Sequence, residues 1–505
     1  MNSKETKTMY FLGVESSLRA TKVIVVGLES SSIVASETVA HTFVAGLPNG
    51  HFEQDPNMWI RSLDQAVRSC IKQMGHRKSD IVAMSIGAQE KGFILLGHDN
   101  EIVRPAKVSG DLASRKQLDQ LNREFGGPPG LGELLGNSLD VDSPASQLLW
   151  LKEREPYNFQ KAKTIMQPLD FLNYWLTGVR NAEAGSASCS GLLDVRSGDW
   201  NGALCDFIDP NLLGMLLPFR GESSVIGSVR LEVAQSWGLK REMYVSAGSG
   251  CTMMAALGSG SYHEGTAVMN LGATGAIWGV SEQPLTDPRS EVVAWCDATH
   301  QWLSYYEEKL AVTSLDSVSA HYGWSGEDFE QAAVASQVGA EGLKSLPLGY
   351  GTFNVGGEGM FHGVTADNYT PSNVARATLE GVAVGLAYGY HRTGELGLEF
   401  KNVCVTGRET ESKLWRQLVS DVCGVPSYSL INQEGAALGA AIHAAVAYFQ
   451  QIGESITFSE IVAYVVTADD QSWCEPDPKR HEFYLDQLSR QQYLAETLIG
   501  AGFLV

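Results

Sequence analysis

YFLGVESSLRATKVIVVGLESSSIVASETVAHTF, Tyr10 to Phe43, is the stretch on which the fold turns. Its β-branched runs are broken by short Gly/Ser punctuation, the pattern of two or three consecutive antiparallel strands, with the tight turn in SSLRAT. The same grammar returns about half a chain later in TAVMNLGATGAIWGVSE, Thr266 to Glu282, where Leu271-Gly272-Ala273-Thr274-Gly275 makes a tighter turn. Two such units predict an internal structural duplication. Around them strands alternate with helices. EQDPNMWIRSLDQAVRSCIKQM opens on Asp55-Pro56, a helix start, and continues at helical spacing. IVAMSIGAQ reads as a buried strand running into a Gly-bearing loop, and KNVCVTGRETESKLWRQLVSDVCGVP as strand, Gly turn and helix. The alternation is an α/β pattern. NVARATLEGVAVGLAYGYHRTGELG and INQEGAALGAAIHAAVAYFQ read as helices studded with small residues. Small residues let backbones or a ligand come close, and tight helix packing is the plainer reading of each.

The chain has 505 residues, too many for one ordinary core, and this predicts two large domains or more. Hydrophobic residues make up 44% and charged residues 19%, a globular composition. A formal net charge of −21 without basic runs argues against a nucleic-acid or anionic-membrane binder. It leaves room for an anionic ligand at a helix N-terminus. The eight cysteines form no CxxC and read as reduced thiols. The N-terminus lacks a secretory signal and no stretch approaches a membrane span, so a cytoplasmic protein is expected.

AGSGCTMMAALGSG, Ala247 to Gly260, places one thiol, Cys251, where a glycine-rich turn meets an apolar helix. Read together and in order, FLGVESSLRATKVIVV, EQDPNMW, SIGAQEKGFILL, PASQLLWLKEREP, AGSGCTMMAALGSG, MNLGATGAIWGV, ARATLEGVAVGLA, TGRETESKLWRQL and EGAALGAA resemble the FGGY carbohydrate kinases, most closely the xylulokinases. The resemblance runs from about residue 10 to about residue 490. It implies two actin-like (ribonuclease H-like) domains with an interdomain cleft: residues 1–257 on the sugar side, residues 258–505 on the nucleotide side. It further implies ATP and Mg²⁺, a sugar or polyol acceptor, and neither nucleic acid nor membrane as partner; a homodimer is left open. The chemistry implied is phosphoryl transfer, which is mostly positioning and charge stabilisation away from water.

The family pattern maps onto this chain residue by residue. Its Mg²⁺-holding Asp answers to Glu15, which keeps the charge but adds a methylene. Ser16 and Ser17 occupy the phosphate-meeting turn; Ser17 replaces a glycine and Leu18 a threonine, and Arg19 is either a cationic clamp or an exposed turn residue. The sugar loop reads Gly87-Ala88-Gln89-Glu90-Lys91-Gly92, with Lys91 where xylulokinases carry His. Of a second sugar motif, Ser109-Gly110-Asp111-Leu112-Ala113, only Asp111 is kept. A site built on particular hydroxyl partners changes specificity when they go. Gly272, Ala273 and Thr274 keep the second phosphate turn. Gly407 and Arg408 stand in the adenosine loop, where two glycines have become Arg408 and Glu409, and Gly435 opens the following helix. The xylulokinase-like E-R-T-P loop is absent from Gly351 to Gly363. Cys251 answers to the catalytic Asp. An ordinary thiol is mostly protonated at neutral pH and a poor proton acceptor, although a helix N-terminus lowers a thiol's pKa. Cys251 is thus either a thiolate base or a small residue filling the space of a lost carboxylate. The implied activity is an ATP-dependent sugar kinase, weakened or redirected; the alternative is a catalytically inactive member that binds a sugar, a nucleotide or a partner protein.

Overall fold

The computed structural model describes residues 8–219, 225–239, 242–272, 274–348, 359–408 and 410–503. Ala273, Glu409 and residues 351–358, all singled out in the sequence, lie outside the described residues.

The opening stretch forms three strands, β1 (Tyr10–Ser16), β2 (Ala20–Gly27) and β3 (Ser32–Ala40). The β1–β2 pair is antiparallel in strict register from Tyr10↔Gly27 to Ser16↔Thr21, so the turn falls within SSLRAT. Helix α1 (Pro56–Met74) follows, with the Asp55 side chain accepting from the Asn57 amide and Pro56 in the first turn, where its missing N–H costs nothing. Strand β4 (Ile81–Ala88) runs parallel to β1, and β5 (Tyr244–Ser246) parallel to β4. The order across this sheet is β3-β2-β1-β4-β5, with the strand Val225–Ser228 at the far edge.

The second sheet repeats the plan. Strands β6 (Thr266–Leu271), β7 (Gly275–Ser281) and β8 (Trp302–Glu308) are antiparallel neighbours; β9 (Asn402–Gly407) pairs parallel with β6, and β10 (Ser427–Ser429) parallel with β9. The order is β8-β7-β6-β9-β10, with the strand Val293–Cys296 outside β8. Two sheets of one topology are the duplication that the two hairpins predicted.

Helix α2 (Cys251–Gly258), the long helix α3 (Pro371–Glu395) and helix α4 (Gly435–Gln451) carry most of the small residues. A single apolar core joins Phe11 and Ile24 of the first sheet, Val268 and Trp278 of the second, and Met254 and Ala440 of α2 and α4. These two helices therefore lie in a layer shared by both sheets. The glycines set their spacing. A Cβ on Gly439 would stand 1.8 Å from the Met254 carbonyl oxygen, one on Gly258 1.9 Å from the Gly435 oxygen, and one on Gly13 2.0 Å from the Ala437 oxygen. The small-residue faces are thus occupied by backbone. The same holds in α3, where a Cβ on Gly381 would meet the Ser345 oxygen at 2.5 Å. Among the described residues no helix is long and apolar enough to cross a membrane. All eight cysteines are free thiols.

Candidate active site

The ends of β1 and β4 lie side by side, with Glu15 opposite Gly87 and Ser16 opposite Ala88. Beyond them the Gln89 amide donates to the Ser16 carbonyl at 2.9 Å, and the short strand Ser249–Gly250 pairs with Gly87 and Ala88 on the opposite edge of β4. Three sequence-distant segments, around residues 15, 90 and 251, thereby meet at one end of the first sheet. Gly87 leaves room here: a Cβ would press on the Met254 side chain at 3.1 Å.

Cys251 occupies the first position of α2 with Gly250 as its cap residue. A helix N-terminus favours a thiolate, but burial pushes this thiol well above its ordinary value, and the carboxylates of Glu90 and Glu15 push it further. Desolvation and like charge outweigh the helix end. The Glu90 carboxylate lies over that helix end, its Oε1 accepting from the Thr252 amide at 2.6 Å; a Cβ on Gly250 would approach the same oxygen to 2.7 Å. Glu90 is raised by burial, partly offset by that amide, and it is half-buried. Glu15 is raised by burial, lowered by Lys22, and raised again by Glu434 and Glu90. Lys22 is ion-paired to Glu434, the residue before α4.

The β1–β2 turn is largely self-contained. The Ser17 hydroxyl donates to the Ala20 carbonyl at 3.0 Å, Ser16 Oγ lies 3.3 Å from Thr21 Oγ1, and that oxygen lies 2.8 Å from His41 Nε2. Leu18 packs against the core of the first domain, and Arg19 is exposed. Gln89 is buried; its Nε2 donates to Gln54 Oε1 at 3.2 Å, while its own Oε1 is enclosed without a partner among the described residues. Such an acceptor is costly unless a donor reaches it.

Lys91 takes a left-handed φ of 58° and is held there by Asp140 at 2.5 Å and Asp142 at 3.3 Å. Burial alone would lower the ammonium, but Asp140, Asp142 and Glu307 hold it well above its ordinary value. Glu307 and Lys309 come from the second domain, on β8 and just beyond it. Glu307 Oε1 accepts the Thr274 hydroxyl at 2.9 Å, and Lys309 lies 3.7 Å from Asp140. The second domain thus reaches the 89–91 loop through Lys309 and Asp140, while the charge of Glu307, which holds the Thr274 hydroxyl, adds to the field at Lys91.

Asp111 is wholly enclosed. Its Oδ2 accepts from Lys107 Nζ at 2.8 Å and from the Phe52 amide at 2.9 Å, and its Oδ1 from the Ala113 amide at 3.1 Å. Lys107 also lies 4.2 Å over the Trp150 ring. His51, Glu53 and Asp111 bring ligand atoms within 4.8 Å of one another. Lys107 and Arg104 already neutralise the two carboxylates, with Arg104 2.5 Å from Glu53. This cluster is an ion-pair lattice around the 107–113 loop.

On the second sheet, the Gly272 amide donates to the Thr274 carbonyl at 3.0 Å, and Asn270 Nδ2 to Thr406 Oγ1 at 2.9 Å. Gly407, at a φ of 95°, lies against β6: a Cβ would stand 2.2 Å from the Leu271 oxygen. The Arg408 amide donates to that oxygen at 2.8 Å and its guanidinium binds Asp316 at 2.7 Å. Gly435 opens α4. Sequence reasoning missed Glu307, Lys309, Asp140 and Asp142. They belong to separate segments, and nothing in their local sequence points to Lys91.

Two sheets of order 3-2-1-4-5 (counting from each hairpin outward), with paired turns at their ends and shared helices between them, define the actin-like fold of sugar kinases. Residues 10–258 match the N-terminal domain, and residues 243–448 the C-terminal domain, of the FGGY family of carbohydrate kinases. A xylulose kinase from Haemophilus influenzae is 29% identical over 449 residues, 86% of this chain and 90% of its own. The crystal structure of a xyloylose kinase from Brucella ovis superposes with a TM-score of 0.89 at 22% identity, covering 97% of this chain and 100% of that one. That of a gluconate kinase from Lactobacillus acidophilus gives 0.89 at 20% identity, covering 97% and 98%. The chain belongs to the FGGY family of carbohydrate kinases, and within it is xylulose-kinase-like.

Proposed function

We propose that the protein transfers the γ-phosphoryl group of ATP to a hydroxyl of a sugar or polyol in the cytoplasm, with acceptor recognition altered from that of a xylulose kinase. The observation that carries this reading is the approach of the Glu307–Lys309 segment, which holds the Thr274 hydroxyl, to the Asp140–Lys91 pair, beside the unpartnered Gln89 Oε1. It sets a phosphate-type turn of one domain against an acceptor loop of the other, with a buried oxygen that calls for a donor such as a sugar hydroxyl. Gln89, Glu90 and Lys91 form the acceptor side, and enclosed Asp111 shapes its loop. Ser16, Ser17, Gly272 and Thr274 line the phosphates; Gly407, Arg408 and Gly435 line the nucleoside. Glu15 suits Mg²⁺, because a cation there would relieve the crowding of Glu15, Glu90 and Glu434. When bound, Mg²⁺ supplies charge neutralisation on the phosphates.

The inactive reading is favoured by one feature: burial and the carboxylates of Glu90 and Glu15 push the Cys251 thiol well above its ordinary value, which disfavours the thiolate that a base would need. The two readings part in one assay. ADP release is measured with ATP and Mg²⁺ across xylulose, gluconate, glycerol and other polyols. Turnover of any acceptor supports the kinase. Nucleotide binding with no turnover across the panel supports the inactive reading.

A further inference from the structure

We propose that the general base of this enzyme is Glu90, the carboxylate having moved from the first turn of α2 to the loop after β4. The inference rests on the kinase reading. A hydroxyl attacking phosphorus needs an acceptor for its proton, and Cys251 does not offer one. An acceptor-only group is bonded at that helix end: Glu90, whose Oε1 is 2.6 Å from the Thr252 amide. The contact spans 162 residues of sequence, so it is fold-made. It fixes the carboxylate at the helix end that begins with Cys251, directly after Gln89, whose Oε1 has no partner among the described residues. Glu90 also keeps part of its surface open, as a group that meets a ligand must. Thr252 steadies one oxygen without consuming the carboxylate, since a carboxylate has about four acceptor positions. Glu15 carries the other nearby carboxylate, but it lies on β1 opposite Lys22, which partly neutralises it.

In the step, the acceptor hydroxyl oxygen forms its bond to the γ-phosphorus as the bond from that phosphorus to the β,γ-bridging oxygen breaks. The bond's electron pair stays on the leaving ADP oxygen. The hydroxyl proton passes to Glu90, which becomes a carboxylic acid and returns the proton to solvent after product release. Burial of Glu90 raises its proton affinity toward the working pH, where a base is most effective.

The test compares Glu90→Gln, Cys251→Ala and the double variant Glu90→Gln with Cys251→Asp, on whichever acceptor the wild type turns over. Glu90→Gln keeps an oxygen for the Thr252 amide, and its melting temperature and ATP affinity serve as folding controls. Its kcat is expected to fall about 10²- to 10⁴-fold, with loss of the acidic limb of the pH–rate profile. Cys251→Ala is expected to keep kcat within a few-fold and to retain that limb. The double variant is expected to regain part of the loss. Glu90→Gln at wild-type rate, or Cys251→Ala as damaged as Glu90→Gln, overturns the assignment while the kinase reading stands. A wild type that turns over no acceptor overturns the kinase reading, and the base assignment with it.

Discussion

Gly439→Ala tests the helix layer on which the site is built. The added methyl would lie 1.8 Å from the Met254 carbonyl oxygen and 2.9 Å from the Gly258 amide nitrogen. Ordinary contact begins near 3.4 Å, so α4 and α2 must separate by more than 1 Å at their crossing. Both neighbours are helix backbone, which cannot rotate aside. Overpacking of this kind typically costs about 1–3 kcal/mol, and a rigid backbone contact belongs at the upper end. An entropy of unfolding of about 2 cal/mol/K per residue converts about 3 kcal/mol into a Tm drop of about 3 °C for the whole chain. The separation also shifts the helix start that carries Cys251, so the Thr252 contact to Glu90 loosens. Gly394→Ala is the control: Gly394 is exposed on α3 with open space around its Cβ position. That change should stabilise by about 0.5–1 kcal/mol. Calorimetric melting of the three proteins reads both effects. A Gly439→Ala variant that melts with the wild type would show that the two helices are not in backbone contact, and the packing account of the small residues would fail.

Lys107→Met leaves Asp111 buried without its cation and should destabilise the protein by about 3–5 kcal/mol in urea unfolding; adding Asp111→Asn should recover part of that loss, and an unchanged single variant would contradict the buried-pair assignment. Burial lowers the His443 pKa to about 4, against about 6.5 unfolded. The unfolded state therefore binds the extra proton first, and this contribution is present above about pH 6.5 and lost as pH falls toward 4. The stability difference between wild type and His443→Gln should accordingly shrink by about 3 kcal/mol across that window; a difference independent of pH would show that His443 is not buried neutral. Cys251 should react slowly with iodoacetamide at pH 7–8, because burial and the flanking carboxylates keep its thiol protonated; rapid, selective labelling would reveal a thiolate and reopen its role as a base.

Much of the fold was legible because its signals are local. The hairpin turn in SSLRAT, the Asp55-Pro56 helix start and the apolar run of β4 each follow from neighbouring residues. The duplication was visible as two hairpins, and its full extent needed the parallel pairings of β4 and β9, which no periodicity reports. The site was legible only where it resembles the family. Glu90 stood in the quoted sugar loop, but its contact with Thr252 depends on where β4 and α2 end in space. Asp111 resembles a sugar-motif ligand in sequence alone, whereas in the structure its oxygens are taken by Lys107 and two amides. Asp140 and Asp142 from one segment, and the charge of Glu307 from another, act on Lys91, and convergence of that kind leaves no trace in spacing.

The central claim is that a nucleotide-phosphate site survives between the two duplicated sheets. Calorimetric titration with ATP, with and without Mg²⁺, measures it directly. The account predicts saturable binding that strengthens when Mg²⁺ is present. Absence of binding up to millimolar ATP would contradict it, and would leave the carboxylates around Cys251 without a nucleotide to serve.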